Sequence, residues 1–191
     1  SYAFFTVYWS FVAFFIHLSF FLTLFNIMIN TAFISLGANL KFNQEISLRD
    51  NLETVVNLFP KYNISVNKIS NWYESEPVPI SDQPWFVNAL VKIQTKNSPE
   101  KLIDLLHDIE NIFGRKRNIL NEARTLDLDI IDFEGLVNNG RPILPHPRMH
   151  LRYFVLLPMK EIEPNWVHPI FKKSINELII EYAQKQKIRK I

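Results

Sequence analysis

From residue 31 onward, apolar and polar positions alternate between two spacings, and each spacing predicts an element. Thr31 to Leu36, with Phe33-Ile34-Ser35-Leu36 at its centre, reads as a short strand closed by Gly37-Ala38-Asn39. From Glu45 to Phe59 the apolar residues Ile46, Leu48, Leu52, Val55, Val56 and Phe59 recur at threes and fours, which predicts a helix stopped by Pro60. Ile64 and Val66 alternate with polar neighbours and predict a strand to about Tyr73, and three prolines make Glu74 to Pro84 a loop. Trp85 to Thr95 has period two, with Trp85, Val87, Ala89, Val91 and Ile93 on one face and Phe86, Asn88, Leu90 and Lys92 on the other. A strand apolar on both faces packs on both. Ser98-Pro99-Glu100 supplies a cap, a first-turn proline and a first-turn acid for a second helix that ends at Gly114. Leu126 to Phe133 is a further strand, Gly135 to Gly140 a turn, and Ser174 to Gln186 an amphipathic helix ending in a basic tail.

Strand, helix, strand, strand, helix, strand, then a C-terminal extension is the order of a ferredoxin-like α+β sandwich. It predicts an antiparallel sheet with two helices on one face, a C-terminal helical extension, and the other face open to a ligand. Architecture alone does not give function.

Residues 1–27 break the pattern, because the first basic residue is Lys41 and the first acidic one Glu45. As a helix, this apolar run would reach roughly 40 Å, enough for a hydrocarbon core of about 30 Å. It has neither the basic start nor the small-residue cleavage site of an export signal. Two readings stay open: a membrane helix, or upstream sequence read in frame ahead of Met28. In both, 1–27 is an apolar head outside the catalytic fold and 28–191 is the domain. His17 has no second ligand three or four residues away and reads as a packing residue.

A net charge of +2 gives no general drive toward nucleic acid, and zero cysteines exclude disulfides, thiolate metal sites and thiol nucleophiles. Catalysis is left to carboxylates, His, Arg, Lys or a metal. The densest cluster is Arg124-Thr125-Leu126-Asp127-Leu128-Asp129. On a strand, Asp127 and Asp129 share a face roughly 7 Å apart while Leu126, Leu128 and Ile130 enter the opposite core. Two carboxylates aimed together suit Mg²⁺, which binds through one or two carboxylates and completes its shell with water and substrate phosphates. The plainer alternative is a solvated strand face. Arg115, Lys116, Arg117, Arg124, Arg141, Arg148 and Arg152 surround the pair in sequence and supply phosphate partners. His146 sits between Pro145 and Pro147 in a rigid loop, either to meet a phosphate or to pack that loop. With four glycines and no Gly-x-x-x-x-Gly-Lys run, a P-loop is excluded.

These segments, together with Phe33 to Leu40, Tyr73, Asp82 to Ala89, Glu110, Gly114 to Arg117 and Pro145 to Arg148, resemble the 6-hydroxymethyl-7,8-dihydropterin pyrophosphokinases of folate synthesis over about residues 30–170. The resemblance implies transfer of pyrophosphate from ATP to the pterin hydroxymethyl group by a cytoplasmic monomer. It implies two Mg²⁺ ions on Asp127 and Asp129, with Arg115 and Arg124 at the phosphates. Glu110, Arg117, Ile130, Arg141, His146, Arg148 and Arg152 fall on the nucleotide side. Asn88 and the backbone of Ser75 to Val78 would read the pterin edge, and Phe86 and Phe154 would sandwich its ring. Phe86 also reads as ordinary core. The sequence departs from the family pattern at Ile119 to Ala123, which lacks an Arg-Trp pair, and at Glu74 and Glu76. Two rivals remain: a nucleic-acid module of the same architecture, which the paired aspartates oppose, and a membrane-tethered inactive relative.

Overall fold

A computed structural model describes residues 29–115, 122–182 and 186–191. The readings of the apolar head, and those of Lys116, Arg117 and Ile119 to Asn121, lie outside the described residues.

The elements run β1 (Asn30–Ala38), α1 (Leu48–Leu58), a 3-10 turn (Phe59–Tyr62), β2 (Ile64–Ile69), β3 (Tyr73–Ser75), β4 (Phe86–Thr95), α2 (Pro99–Ile112), β5 (Asp127–Phe133), a second 3-10 turn (Met149–Leu151), α3 (Tyr153–Ile162), α4 (Ile175–Tyr182) and β6 (Ile188–Lys190). The predicted Ser98 cap forms, and the first helix, expected from Glu45, starts at Leu48 behind a Ser47 cap. The Ser47 and Ser98 side chains accept from the backbone of Asp50 and Lys101, and α2 stops at Gly114 with φ 78°. The sheet is antiparallel in the order β5-β1-β4-β3-β6, with β2 also on β4. This is the predicted fold class.

Three local expectations need correction. The strand expected from Ile64 to Tyr73 is two strands beside β4, because Ser70 turns its own side chain into the ladder. Its N–H donates to Leu90 O and its Oγ accepts from Leu90 N, at 2.9 and 3.0 Å. The basic tail, to which the sequence reading assigned no element, is an edge strand, β6. α3 had no helical signature in the sequence, since Val155, Leu156, Leu157 and Met159 leave little polar stripe and Pro158 lies inside it.

One sheet face carries Ala32, Ile34, Leu36, Val87, Ala89, Val91, Ile93, Leu126, Leu128 and Ile130 against Leu52, Val55, Leu102, Leu106 and Ile109 of α1 and α2. Burying each such aliphatic side chain contributes about 1.5–3 kcal/mol. The opposite face is divided along its strands. Phe33, Leu90 and Ile131 form a second core with α3 and α4. Toward the other end of the same strands stand Ser35, Gly37, Asn88, Asp127 and Asp129, in register across β5, β1 and β4. The C-terminal extension thus covers the apolar half of this face and leaves the polar half to a ligand. Among the described residues no helix is long and apolar enough to cross a membrane.

Candidate active site

Asp127 and Asp129 lie on β5 opposite Gly37 and Ser35, with side chains 24% and 31% exposed, while Leu126, Leu128 and Ile130 are core. Period two puts the acids together as the sequence predicts. Arg115, just beyond α2, is fixed from three sides: it donates to Glu110 at 2.7 Å and to Leu126 O at 2.9 Å, and pairs with Asp127. Glu110 is 1% exposed and also accepts from Leu128 N at 2.8 Å, so it holds Arg115 and β5 rather than facing solvent. Arg124 donates to the other Asp127 oxygen at 3.0 Å, and Arg152 to Asp129 at 3.3 Å. Burial alone would raise the Asp127 carboxyl, but the Arg124 and Arg115 guanidinium groups outweigh it and hold the acid below its ordinary range.

His146 Nε2 lies 3.7 Å from Asp129 Oδ2. Its Nδ1 accepts from Arg148 N at 3.2 Å, so a neutral ring carries its proton on Nε2, toward the acids. Burial lowers its pKa to about 4, the pull of Asp129 being offset by Arg152 and Arg148. At neutral pH His146 is therefore an uncharged donor in an arginine-rich cleft. The loop that carries it is braced from behind, where His150 meets the rings of Phe171 and Tyr182 edge-on at 5.0 and 5.4 Å.

Beside the charged cluster the same face carries Asn88 and Phe86 of β4, with Phe154 of α3 near Arg152. Asn88, 4% exposed, donates to Ser75 Oγ at 2.9 Å. Its Oδ1 lies over Gly37, where an added Cβ would come within 3.0 Å of it. Glycine is needed there for room. Phe86 and Phe154 are half-buried, and Arg124 and Arg152 lie 5.4 and 5.6 Å from their respective ring centroids. The same two arginines thus touch both the acids and the rings.

Not every expected residue joins this group. Arg141 pairs instead with Asp104 of α2 at 2.6 Å, both exposed. The Ile130 side chain is core, so it offers the site only backbone. Arg148 is exposed next to His146, and Val78 is 50% exposed on the loop beyond β3. Two contributors were not singled out from sequence. Gly37 was read only as a turn residue. Asn39 binds Arg124 N through Oδ1 at 2.7 Å and donates through Nδ2 to Gln83 Oε1 and Pro84 O, both at 3.2 Å. An Asn closing a strand whose side chain must be buried was the available signal.

The profile of the family described as 7,8-dihydro-6-hydroxymethylpterin-pyrophosphokinase matches residues 33–164. The chain is 39% identical over 160 residues to the 2-amino-4-hydroxy-6-hydroxymethyldihydropteridine pyrophosphokinase of Haemophilus influenzae, covering 83% of this chain and 97% of that one. It is 40% identical over 136 residues to the protein of that name from Bacillus subtilis, covering 71% and 79%. Among solved structures, the Plasmodium falciparum HPPK-DHPS A437G variant with STZ-DHP superposes with a TM-score of 0.65 at 15% identity, over 81% of this chain and 46% of that one. That likeness speaks to fold alone, and this chain spans under half of that protein. The length of the profile match and the identity to relatives covered over 97% and 79% of their lengths place the chain in the 7,8-dihydro-6-hydroxymethylpterin-pyrophosphokinase family.

Proposed function

We infer that the chain transfers the pyrophosphoryl group of ATP to the hydroxymethyl group of 6-hydroxymethyl-7,8-dihydropterin, releasing AMP. The observation that carries this reading is that two carboxylates ringed by Arg115, Arg124, Arg152 and His146 share one sheet face with Asn88, and that Arg124 and Arg152 reach from those acids to the rings of Phe86 and Phe154. Phosphate chemistry and flat-ring recognition are thereby adjacent.

The donor set fits Mg²⁺. The described residues contain no cluster of three or more acidic, His or Cys groups, so the protein offers two carboxylates and leaves the remaining positions to phosphate oxygens and water. We propose two ions held by Asp127 and Asp129. When bound, they would neutralise the charge that builds up on the transferring phosphates. The chain's own residues do the rest. Asp127 and Asp129 would hold the cations, and Arg124 and Arg152, which pair with them here, would be available to phosphate oxygens. Arg115 stays fixed by Glu110 and Leu126 O as a permanent positive charge. His146 presents Nε2–H to an oxygen without adding charge. Asn88 donates and accepts at the pterin edge, Ser75 and Val78 contribute from β3 and its loop, and Phe86 and Phe154 stack on the ring. Glu110 acts as a positioning residue, and Arg148 and the backbone of Ile130 border the nucleotide, while Arg141, held by Asp104, takes no part in this reading. The enzyme works as a cytoplasmic monomer, with 28–191 as its catalytic unit.

The test is direct: the protein is mixed with ATP, hydroxymethyl-dihydropterin and Mg²⁺, and AMP and pterin diphosphate are quantified. Equimolar formation of both, abolished by chelation, supports the reading. Release of ADP, or no pterin product, rejects it.

A further inference from the structure

β6 is three residues long and lies at the sheet edge, yet it grips both ends of the loop that leads to Phe86 and Asn88. Its partner β3 pairs in the register Tyr73 to Lys190, Glu74 to Arg189 and Ser75 to Ile188. Beyond that ladder the contacts continue onto the loop. Lys187 N donates to Glu76 Oε1 at 2.9 Å, Glu76 N to Lys187 O at 3.1 Å, and Gln186 Nε2 to Glu76 O at 3.0 Å. One residue, Glu76, is thus held through its side chain, its N–H and its carbonyl. Arg189 Nε donates to Glu74 at 2.7 Å, and its guanidinium lies 5.7 Å from the Trp85 ring centroid at the loop's far end. Between the grips the loop carries Val78 and Ile80, 50% and 81% exposed, with Asn39 tethering Gln83 and Pro84.

We propose that β6 is a positioning element for the pterin: by holding Glu74, Glu76 and Trp85 it fixes both ends of the loop 76–85, so that Ser75 and Val78 meet the ring in place. The inference rests on the assignment of Asn88, Phe86 and Phe154 to the pterin. Without β6 the loop has to be ordered at the moment of binding, and that entropy is taken from affinity. The Arg189 to Glu74 pair contributes little by itself because Arg189 is 70% exposed. Glu76 carries the effect through its three contacts.

The experiment compares the full chain with Glu76→Ala, Glu76→Gln and a chain ending at Lys185, measuring KM for pterin and for ATP, kcat and melting temperature. Glu76→Ala should raise the pterin KM about fivefold to tenfold while leaving the ATP KM within about twofold. Glu76→Gln, which keeps an acceptor for Lys187 N, should recover most of the loss, and the shortened chain should exceed it. An unchanged pterin KM in both Glu76→Ala and the shortened chain overturns the proposal. So does a parallel rise in both KM values with a lowered melting temperature, which marks general loosening. Absence of turnover in the parent chain removes the pterin assignment and this inference together, whereas an active parent with indifferent variants removes this inference alone.

Discussion

At the scale of single residues, the two aspartates do different work. Asp129 meets one arginine and a neutral histidine, whereas Asp127 is clasped by two guanidinium groups. Asp129→Asn removes a charge from the mouth of the site with little effect on folding. Asp127→Asn loosens Arg115 and Arg124 as well, but Arg115 keeps Glu110 and Leu126 O, so destabilisation should stay near 1.5 kcal/mol. Each should lower turnover by about 10²–10³-fold in a steady-state assay; near-parental activity with Mg²⁺ in either would defeat the metal assignment. Asn88→Ala should weaken pterin binding about tenfold or more with nucleotide binding intact, as read by calorimetry. Gly37→Ala should show the same selectivity more mildly, because its Cβ would press on Asn88 Oδ1 from 3.0 Å. If the two act through one contact, their effects will not add in a double-mutant cycle, and full additivity would place Gly37 outside the pterin contacts.

At the scale of elements, what the sequence made legible follows its periodicities. β4 reads correctly because both its faces are buried, and α2 because its cap, first-turn Pro99 and terminal Gly114 each have a local physical role. The acid pair is equally legible, since period two places Asp127 and Asp129 whatever surrounds them. What was not legible depends on distant partners. α3 is helical because Phe33, Leu90 and Ile131 need cover, and β6 is a strand because β3 presents an unpaired edge. The grouping of His150, His168, Phe171 and Tyr182 behind the His146 loop is likewise tertiary. His168 is 2% exposed, stacks on Phe171 at 4.3 Å, and accepts through Nδ1 from Ile170 N and Phe171 N at 3.2 and 3.3 Å. Burial, then the neighbouring His150, lowers its pKa to about 4 from an ordinary 6.5. The unfolded chain therefore binds this proton first as pH falls. The contribution is fully present above about pH 6.5 and is lost on the way down to about pH 4, by roughly 3 kcal/mol. Urea unfolding across that range should show the decline, and His168→Asn, which keeps an acceptor without titrating, should make it shallower, leaving the share of His146, which burial lowers into the same range. An equal decline in that variant would assign the pH dependence elsewhere.

At the scale of the whole molecule, the described elements account for both faces of the sheet. α1 and α2 cover one, and α3, α4 and the site share the other. The outer surfaces of α1 and α2 carry Arg49, Asp50, Asp104 and Asp108, all exposed, and of their large apolar residues only Ile112, at the end of α2, is exposed. The outer edge of β5 is already taken in part, by Glu110 at Leu128 N and by His146 N at Ile131 O, and the strand bears Asp127, Asp129 and Asp132, which oppose pairing with an uncharged apolar segment. The polar half of the open face holds Asp127, Asp129, Arg115, Arg124 and Arg152, whose charges an apolar cover would strand. None of these surfaces suits residues 1–27, which carry no formal charge. A chain beginning at Met28 should therefore match the full chain in kcat, in both KM values and in the urea midpoint. It should also stay in solution at higher concentration, because the uncharged apolar run is gone. The measurement is a side-by-side comparison of turnover and unfolding for the two lengths; loss of activity or of the folding transition on removing residues 1–27 would make the head part of the catalytic unit and reject the 28–191 boundary.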